Sequence, residues 1–192
     1  MMLSGQEIAR RLGDSLVIDP CDPSQINANS VDLSLHDELL IYEEVVLDAA
    51  SPNRFRRIGI SSDGLTLQPG QLYLGRTVET TQTHAAVPFV QGRSSVGRLG
   101  LIVNPSGGLG QVGYCGTWTL EMHCVQPVRI YAGMKICQIG YVELTGDVDP
   151  YHSDKYQHSC DIQPSLLHRE LGVEDPDNQM QLNFDDAIES AR

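Results

Sequence analysis

From Leu16 onward the chain is built of short alternating runs, none of which sustains a helical period. Ser30-Val31-Asp32-Leu33-Ser34-Leu35, Leu39-Leu40-Ile41-Tyr42, Leu65-Thr66-Leu67 and Leu72-Tyr73-Leu74-Gly75-Arg76-Thr77-Val78 are separated by Gly, Pro, Asn and Asp. Period-two runs bounded by turn formers predict strands. Eighteen glycines and ten prolines lie among such runs, which favours an all-β barrel or clip over an α/β sheet. Near the N-terminus, Ser4 and Glu7 have capping-box spacing and Ile8, Ala9 and Leu12 form a short apolar stripe, so one short helix is predicted there. After Pro164, the run Ser165-Leu166-Leu167-His168-Arg169-Glu170-Leu171 predicts a minor helical turn. A chain of 192 residues suits one core-forming domain. That domain is expected over residues 1–171, with 172–192 as an acidic, mobile tail.

Charge and cysteine usage narrow the partners. Thirteen Lys and Arg stand against twenty-five Asp and Glu, a net charge of -12, and such a field repels polyanions and anionic lipid. No nucleic acid and no membrane is the expectation, whereas an anionic small molecule requires a local basic cluster. Cys21, Cys115, Cys124, Cys137 and Cys160 are odd in number and contain no C-x-x-C pair. They indicate reduced, packed thiols rather than a disulfide framework or a structural zinc site. With neither a secretory leader pattern nor a run of about 18 apolar residues, the chain reads as soluble and cytoplasmic.

Two segments carry chemistry. In Gln91-Gly92-Arg93-Ser94-Ser95-Val96-Gly97-Arg98-Leu99-Gly100, two arginines and two serines sit on a glycine-rich backbone. Guanidinium forks, hydroxyls and exposed N–H groups together suit phosphate oxygens; a glycine-rich turn with a solvated arginine pair is the alternative. In Thr117-Trp118-Thr119-Leu120-Glu121-Met122-His123-Cys124, alternation places Trp118, Leu120, Met122 and Cys124 on one face and Thr117, Thr119, Glu121 and His123 on the other. A strand carboxylate backed by a core face is well placed for acid/base work, although an ordinary solvated glutamate fits the same pattern. Between them, Gly107 to Gly116 holds five glycines, with Tyr114 as the one flat surface for stacking; a plain hairpin is the other reading.

Gly92-Arg93-Ser94-Ser95-Val96-Gly97-Arg98-Leu99-Gly100-Leu101, followed by Gly113-Tyr114-Cys115-Gly116-Thr117-Trp118-Thr119-Leu120-Glu121, resembles the signature of the dCTP deaminases. These form a branch of the trimeric dUTPase-like superfamily that includes dUMP-forming bifunctional enzymes. The resemblance extends through Ile26-Asn27-Ala28-Asn29-Ser30-Val31-Asp32-Leu33, Ala132-Gly133-Met134-Lys135-Ile136-Cys137-Gln138 and Pro150-Tyr151-His152-Ser153-Asp154-Lys155-Tyr156-Gln157, covering nearly everything to about Leu171. It implies an all-β, dUTPase-like β-clip or distorted jelly-roll barrel, assembled as a homotrimer with active sites between subunits. It also implies dCTP as substrate and Mg2+ carried by the triphosphate, with no metal ligand from the protein.

By the same resemblance Glu121 is the general base and acid, Ser94 and the Gly107 carbonyl position the attacking water, and Arg98 stabilises charge. Arg93, Ser95, Tyr151 and Lys155 hold phosphates, and main chain from Thr119 through Leu120 to Glu121 reads the base edge. Zinc is not expected, because the H-x-E…P-C-x-x-C signature of zinc nucleobase deaminases is absent from the sequence. Two departures stand out. The family's G-x-I-D turn has Gly110 and Gln111 at its last two positions, so a sugar contact falls to an amide that cannot serve as a carboxylate. The family's K-Y-x-x-Q lid ends here in Ser159. The expected reaction is deamination of dCTP to dUTP and ammonia. The alternatives are the bifunctional reaction ending in dUMP and pyrophosphate, action on another cytosine deoxynucleotide, and a non-catalytic regulatory homologue that binds nucleotide.

Overall fold

The computed structural model describes residues 1–105, 107–152 and 155–172. The elements are α1 (Gly5–Arg11), β1 (Leu16–Asp19), β2 (Val31–Ser34), β3 (Glu38–Tyr42), β4 (Phe55–Gly59), β5 (Leu65–Leu67), β6 (Tyr73–Arg76), β7 (Thr80–Thr83) and β8 (Ala86–Gly92). They continue with α2 (Ser94–Gly97), β9 (Leu101–Pro105), β10 (Cys115–Gly116), β11 (Thr119–Cys124), β12 (Val128–Ile130), β13 (Lys135–Glu143) and α3 (Leu167–Glu170). The strands form sheets ordered β1-β7-β10, β4-β3-β6-β11-β9, β12-β5 and β2-β13-β8. Short antiparallel strands in several small sheets make this an all-β fold, as the alternating runs imply.

The chain divides into two compact units, Met1–Ile41 with Arg56–Gln163, and Tyr42–Phe55 with the chain from Pro164 on. The first unit contains every candidate site residue. Its core draws on several sheets at once: Leu33 from β2, Leu39 from β3, Leu101 from β9, Leu120 and Met122 from β11, and Ile139 and Tyr141 from β13 are all buried. In the second unit, Glu43 N–H donates to the Arg54 carbonyl at 3.0 Å, and Ser165 N–H donates to the Tyr42 hydroxyl at 2.9 Å. The helical turn expected after Pro164 is α3. The acidic stretch expected as a tail lies, from residue 173 on, outside the described residues.

Local chemistry explains the ends. Ser4 caps α1 by accepting from Glu7 N–H at 3.3 Å, one half of a capping box. Glu7 instead turns its carboxylate toward Arg10 and Arg11, at 3.0 and 2.8 Å. Arg11 also pairs with Glu143 at 2.8 Å, which fastens α1 to the end of β13. In the interior of the first unit, Glu79 is 2% exposed yet fully engaged, accepting from Gln25 Nε2 and from Ser34 N–H at 2.8 Å each. Such pairing is what makes a buried carboxylate tolerable.

Leu120 is fully buried at the centre of the core. Leu120→Ala is expected to lower unfolding stability by about 2–5 kcal/mol, measured by urea denaturation. A loss below about 1 kcal/mol, the range of ordinary surface changes, would contradict this packing.

Candidate active site

β8 delivers the chain to Arg93, the N-cap residue of the single turn α2. Val96 is buried and pins the turn, while Ser94, Ser95 and Arg98 remain exposed. The turn closes through Arg98 N–H donating to the Ser94 carbonyl at 3.0 Å. Beside it opens a cavity of about 840 Å³ whose wall includes Arg93, Ser94, Gly97, Asn104 and Gly107. Gly107 holds a positive φ of 83°, which leaves its carbonyl on an exposed, tightly turned backbone. Gly92 is required where β8 meets β9, because a Cβ there would stand 2.9 Å from the Val103 carbonyl oxygen.

Glu121 stands in the middle of β11, opposite Leu74 on β6 and Asn104 on β9. Directly opposed residues share a face, and Asn104 Nδ2 donates to Glu121 Oε2 at 3.1 Å. Because Asn104 also lines the cavity, it joins the carboxylate to the wall that carries Arg93 and Ser94. Neither Glu121 nor Arg98 is among the described lining residues themselves. Asn104 was not predicted from the sequence; its only signal there is a polar residue in the alternating run Leu101-Ile102-Val103-Asn104-Pro105.

The predicted alternation of β11 holds on its apolar side, where Trp118, Leu120, Met122 and Cys124 are buried. Its polar side is a correction: Thr117 and Thr119 are buried as well. Residues 159–163 cover them, with Thr117 N–H donating to the Ser159 carbonyl at 2.8 Å and Gln163 N–H donating to Thr119 Oγ1 at 3.0 Å. Glu121, half-buried, and His123, exposed, are left open. Leu120 directs its side chain into the core, so only its main chain could meet a ligand.

The other predicted site residues gather around β10. Tyr114 is not the open stacking surface expected: its ring lies 4.9 Å from that of Trp118 and 6.3 Å from that of Tyr151. Burial pushes its phenol well above the usual range, and the retained proton is donated to the Thr117 carbonyl at 2.6 Å. Tyr151 joins this turn through its N–H to the Val112 carbonyl at 2.7 Å. Gln111 is exposed at the turn's tip, and Lys155 is half-buried. Ser159 is buried and its hydroxyl donates to the Asp161 carbonyl at 3.0 Å, so it serves the fold instead of facing a ligand. Gln157, which the sequence reading passed over, clips the segment down: Cys115 N–H donates to its Oε1 at 3.1 Å, and its Nε2 donates to the Gly113 carbonyl at 2.8 Å.

Among the described residues, no three His, Cys, Asp or Glu side chains converge as metal ligands, and no helix is long and apolar enough to cross a membrane. The five cysteines are free thiols.

The all-β fold, with an arginine-serine turn on a cavity wall that Asn104 links to a strand carboxylate, belongs to one recognisable family. Residues 2–144 match the family described as dCTP deaminase-like. A protein of Rhodopirellula baltica named dCTP deaminase is 66% identical over 190 residues, covering 99% of this chain and 96% of that one. A protein of Clostridium beijerinckii named dCTP deaminase, dUMP-forming, is 50% identical over 171 residues, covering 89% and 99% respectively. This chain therefore belongs to the dCTP deaminase-like family. The fold is also that of the 2'-deoxycytidine 5'-triphosphate deaminase structure from Agrobacterium tumefaciens, with a TM-score of 0.59 at 22% identity. That alignment covers 73% of this chain and 47% of the other.

Gln157→Ala removes the bonds to Cys115 and Gly113 together. Amide hydrogen exchange at Cys115 is expected to accelerate by about threefold to tenfold, the worth of one ordinary hydrogen bond, and unchanged protection would show that the clip does not hold the turn.

Proposed function

We propose that the chain hydrolyses dCTP to dUTP and ammonia, with Glu121 as the proton carrier. The observation that carries this reading is the shared wall: Asn104 lines the cavity bearing Arg93, Ser94 and Gly107, and hydrogen-bonds Glu121. Water attack at C4 of cytosine creates a tetrahedral centre and then expels an amine. The site must therefore orient a nucleophile and move protons to N3 and to the leaving nitrogen. Ser94 Oγ and the Gly107 carbonyl orient the water, Glu121 takes and returns its proton, and Arg98 stabilises the developing charge. Arg93 and Ser95, with Tyr151 and Lys155, hold the phosphates, Gln111 faces the sugar, and main chain from Thr119 to Glu121 reads the base edge.

The donor set on the cavity wall is cationic and hydroxylic, which fits phosphate oxygens and not a hard cation. A Mg2+ ion accompanying the substrate would thus be ligated by the phosphates and water. Glu121, Arg98, Tyr151 and Lys155 are not among the described residues of the cavity wall, and the proposed assembly is a homotrimer in which neighbouring copies complete each site. Support comes from Leu99, Ile102 and Val125, which are 54%, 45% and 70% exposed, a cost that a covering copy would remove. A second reading, cleavage onward to dUMP and pyrophosphate, is favoured by relatives at about half identity whose names carry that product. Gln111, lacking a carboxylate, favours deamination alone.

Glu121→Gln is expected to abolish ammonia release from dCTP while nucleotide binding persists in calorimetry; normal turnover would remove Glu121 from the mechanism. Arg98→Ala is expected to lower turnover by about 10²–10³, the loss on removing one preorganised electrostatic donor. Pyrophosphate appearing with ammonia in the wild-type reaction would select the bifunctional reading.

A further inference from the structure

The mechanism leaves the buried carboxylate of Asp32 unused. Asp32 on β2 is 3% exposed, and two cations flank it: Arg93 Nε lies 3.1 Å from Oδ1 and Lys135 Nζ lies 3.3 Å from Oδ2. The β2-β13-β8 sheet assembles this group. Gln138 on β13 opposes Asp32 on one side and Gln91 on the other, so the three share a face. Arg93, two residues past Gln91, continues on that face. Lys135 is three residues from Gln138, and regular alternation would send it to the opposite face. A register shift between Lys135 and Cys137 reverses the parity and brings Lys135 back beside Asp32.

The contact orients the guanidinium. Oδ1 of Asp32 receives no aligned hydrogen bond among the described residues, so the Arg93 contact is an ion pair acting on Nε. The backbone N–H of Arg93 is fixed to the Ile136 carbonyl at 3.2 Å, and its Nη1 approaches the Lys135 carbonyl at 3.5 Å. The guanidinium is thereby anchored on its inner side while Arg93 lines the cavity. Asp32 and Arg93 alone would form a neutral pair. Lys135 adds a second cation against Asp32, and the carboxylate of Glu79 stands nearby, held by the same Gln25 Nε2 that donates to the Asp32 carbonyl.

We infer that Asp32 is a positioning residue that aims Arg93 at the nucleotide phosphates, with Lys135 as a second cation on the same carboxylate. Loss of Asp32 would return rotamer freedom to Arg93, and that freedom has to be lost again on binding. The inference rests on the proposed nucleotide site, yet it concerns phosphate binding and not the deamination step.

The test is calorimetric binding of dCTP and of deoxycytidine to wild type, Asp32→Asn, Arg93→Ala and the double variant. Asp32→Asn is expected to weaken dCTP by about threefold to tenfold, the cost of immobilising one long side chain, and deoxycytidine by less than about twofold. In the Arg93→Ala background the same change is expected to cost dCTP nothing further, since coupled residues are not additive. Equal losses for both ligands, or an undiminished dCTP loss without Arg93, would overturn the inference. Should Asp32→Asn not fold, Asp32→Glu keeps the charge and displaces it by one methylene; an unchanged ratio of dCTP to deoxycytidine affinity would then overturn it. Wild type that binds dCTP but releases no ammonia sinks the deaminase reading alone, because the affinity ratios still report on Asp32.

Discussion

The register of β11 is the constraint on which the site depends. The strand is bonded along both edges, to β6 and to β9, and Leu120 and Met122 are completely buried between them. A one-residue slip would exchange its faces, driving Glu121 into the core and Leu120 out of it. Burying an unpaired carboxylate costs far more than a strand of this length can offset. The direction of the carboxylate is thus set by apolar packing, and the rigidity that acid/base chemistry requires comes with it. Gly75, opposite Leu120 on β6, belongs to the same packing. A Cβ at that position would come within 2.9 Å of Met122, 3.0 Å of Leu39 and 3.1 Å of Leu35.

The segment 159–163 completes what β11 begins. By covering Thr117 and Thr119 it turns an open polar face into one that is open only near Glu121 and His123. Arg57 grips this segment through Asp161, with its Nη2 at 2.6 Å from Oδ2, and also pairs with Glu38. The Arg57 guanidinium holds the Asp161 carboxyl below the usual carboxylate range. These are exposed pairs, which contribute about 0–1 kcal/mol each. The main-chain bonds to Thr117 and Thr119, together with the Gln157 clip, are therefore the stronger hold.

What the sequence made legible was local. The Ser4 cap, the strand runs and the apolar half of β11 follow from neighbours within a few residues, and periodicity reads such neighbours directly. The arginine-serine turn was legible as a phosphate-type donor set for the same reason. Asn104 was not, since its relation to Glu121 exists only once β9 pairs with β11 in one register. The coverage of Thr117 and Thr119 depends on a segment about forty residues away, which alternation cannot anticipate. Tyr114 misled the reading because its neighbours Trp118 and Tyr151 meet it only in the folded turn. The Asp32, Arg93 and Lys135 group lies furthest from reach, drawing on β2, on β13, on the turn that follows β8 and on a bulge that reverses the parity on which pattern reading relies.

That group also bears on how so acidic a chain could receive an anion. With a net charge of -12, the long-range field opposes a nucleotide, but at physiological salt charges beyond about 8 Å are largely screened. In the proposed site, what a phosphate would meet at contact is Arg93 and its immediate surroundings. A buried carboxylate placed behind the arginine lowers the local positive charge, which on its own would weaken the site. Lys135, on the other oxygen of that carboxylate, offsets part of this loss. Orientation and charge are thereby supplied by different residues, and the acidity of the rest of the surface can serve solubility without deciding what the cavity binds.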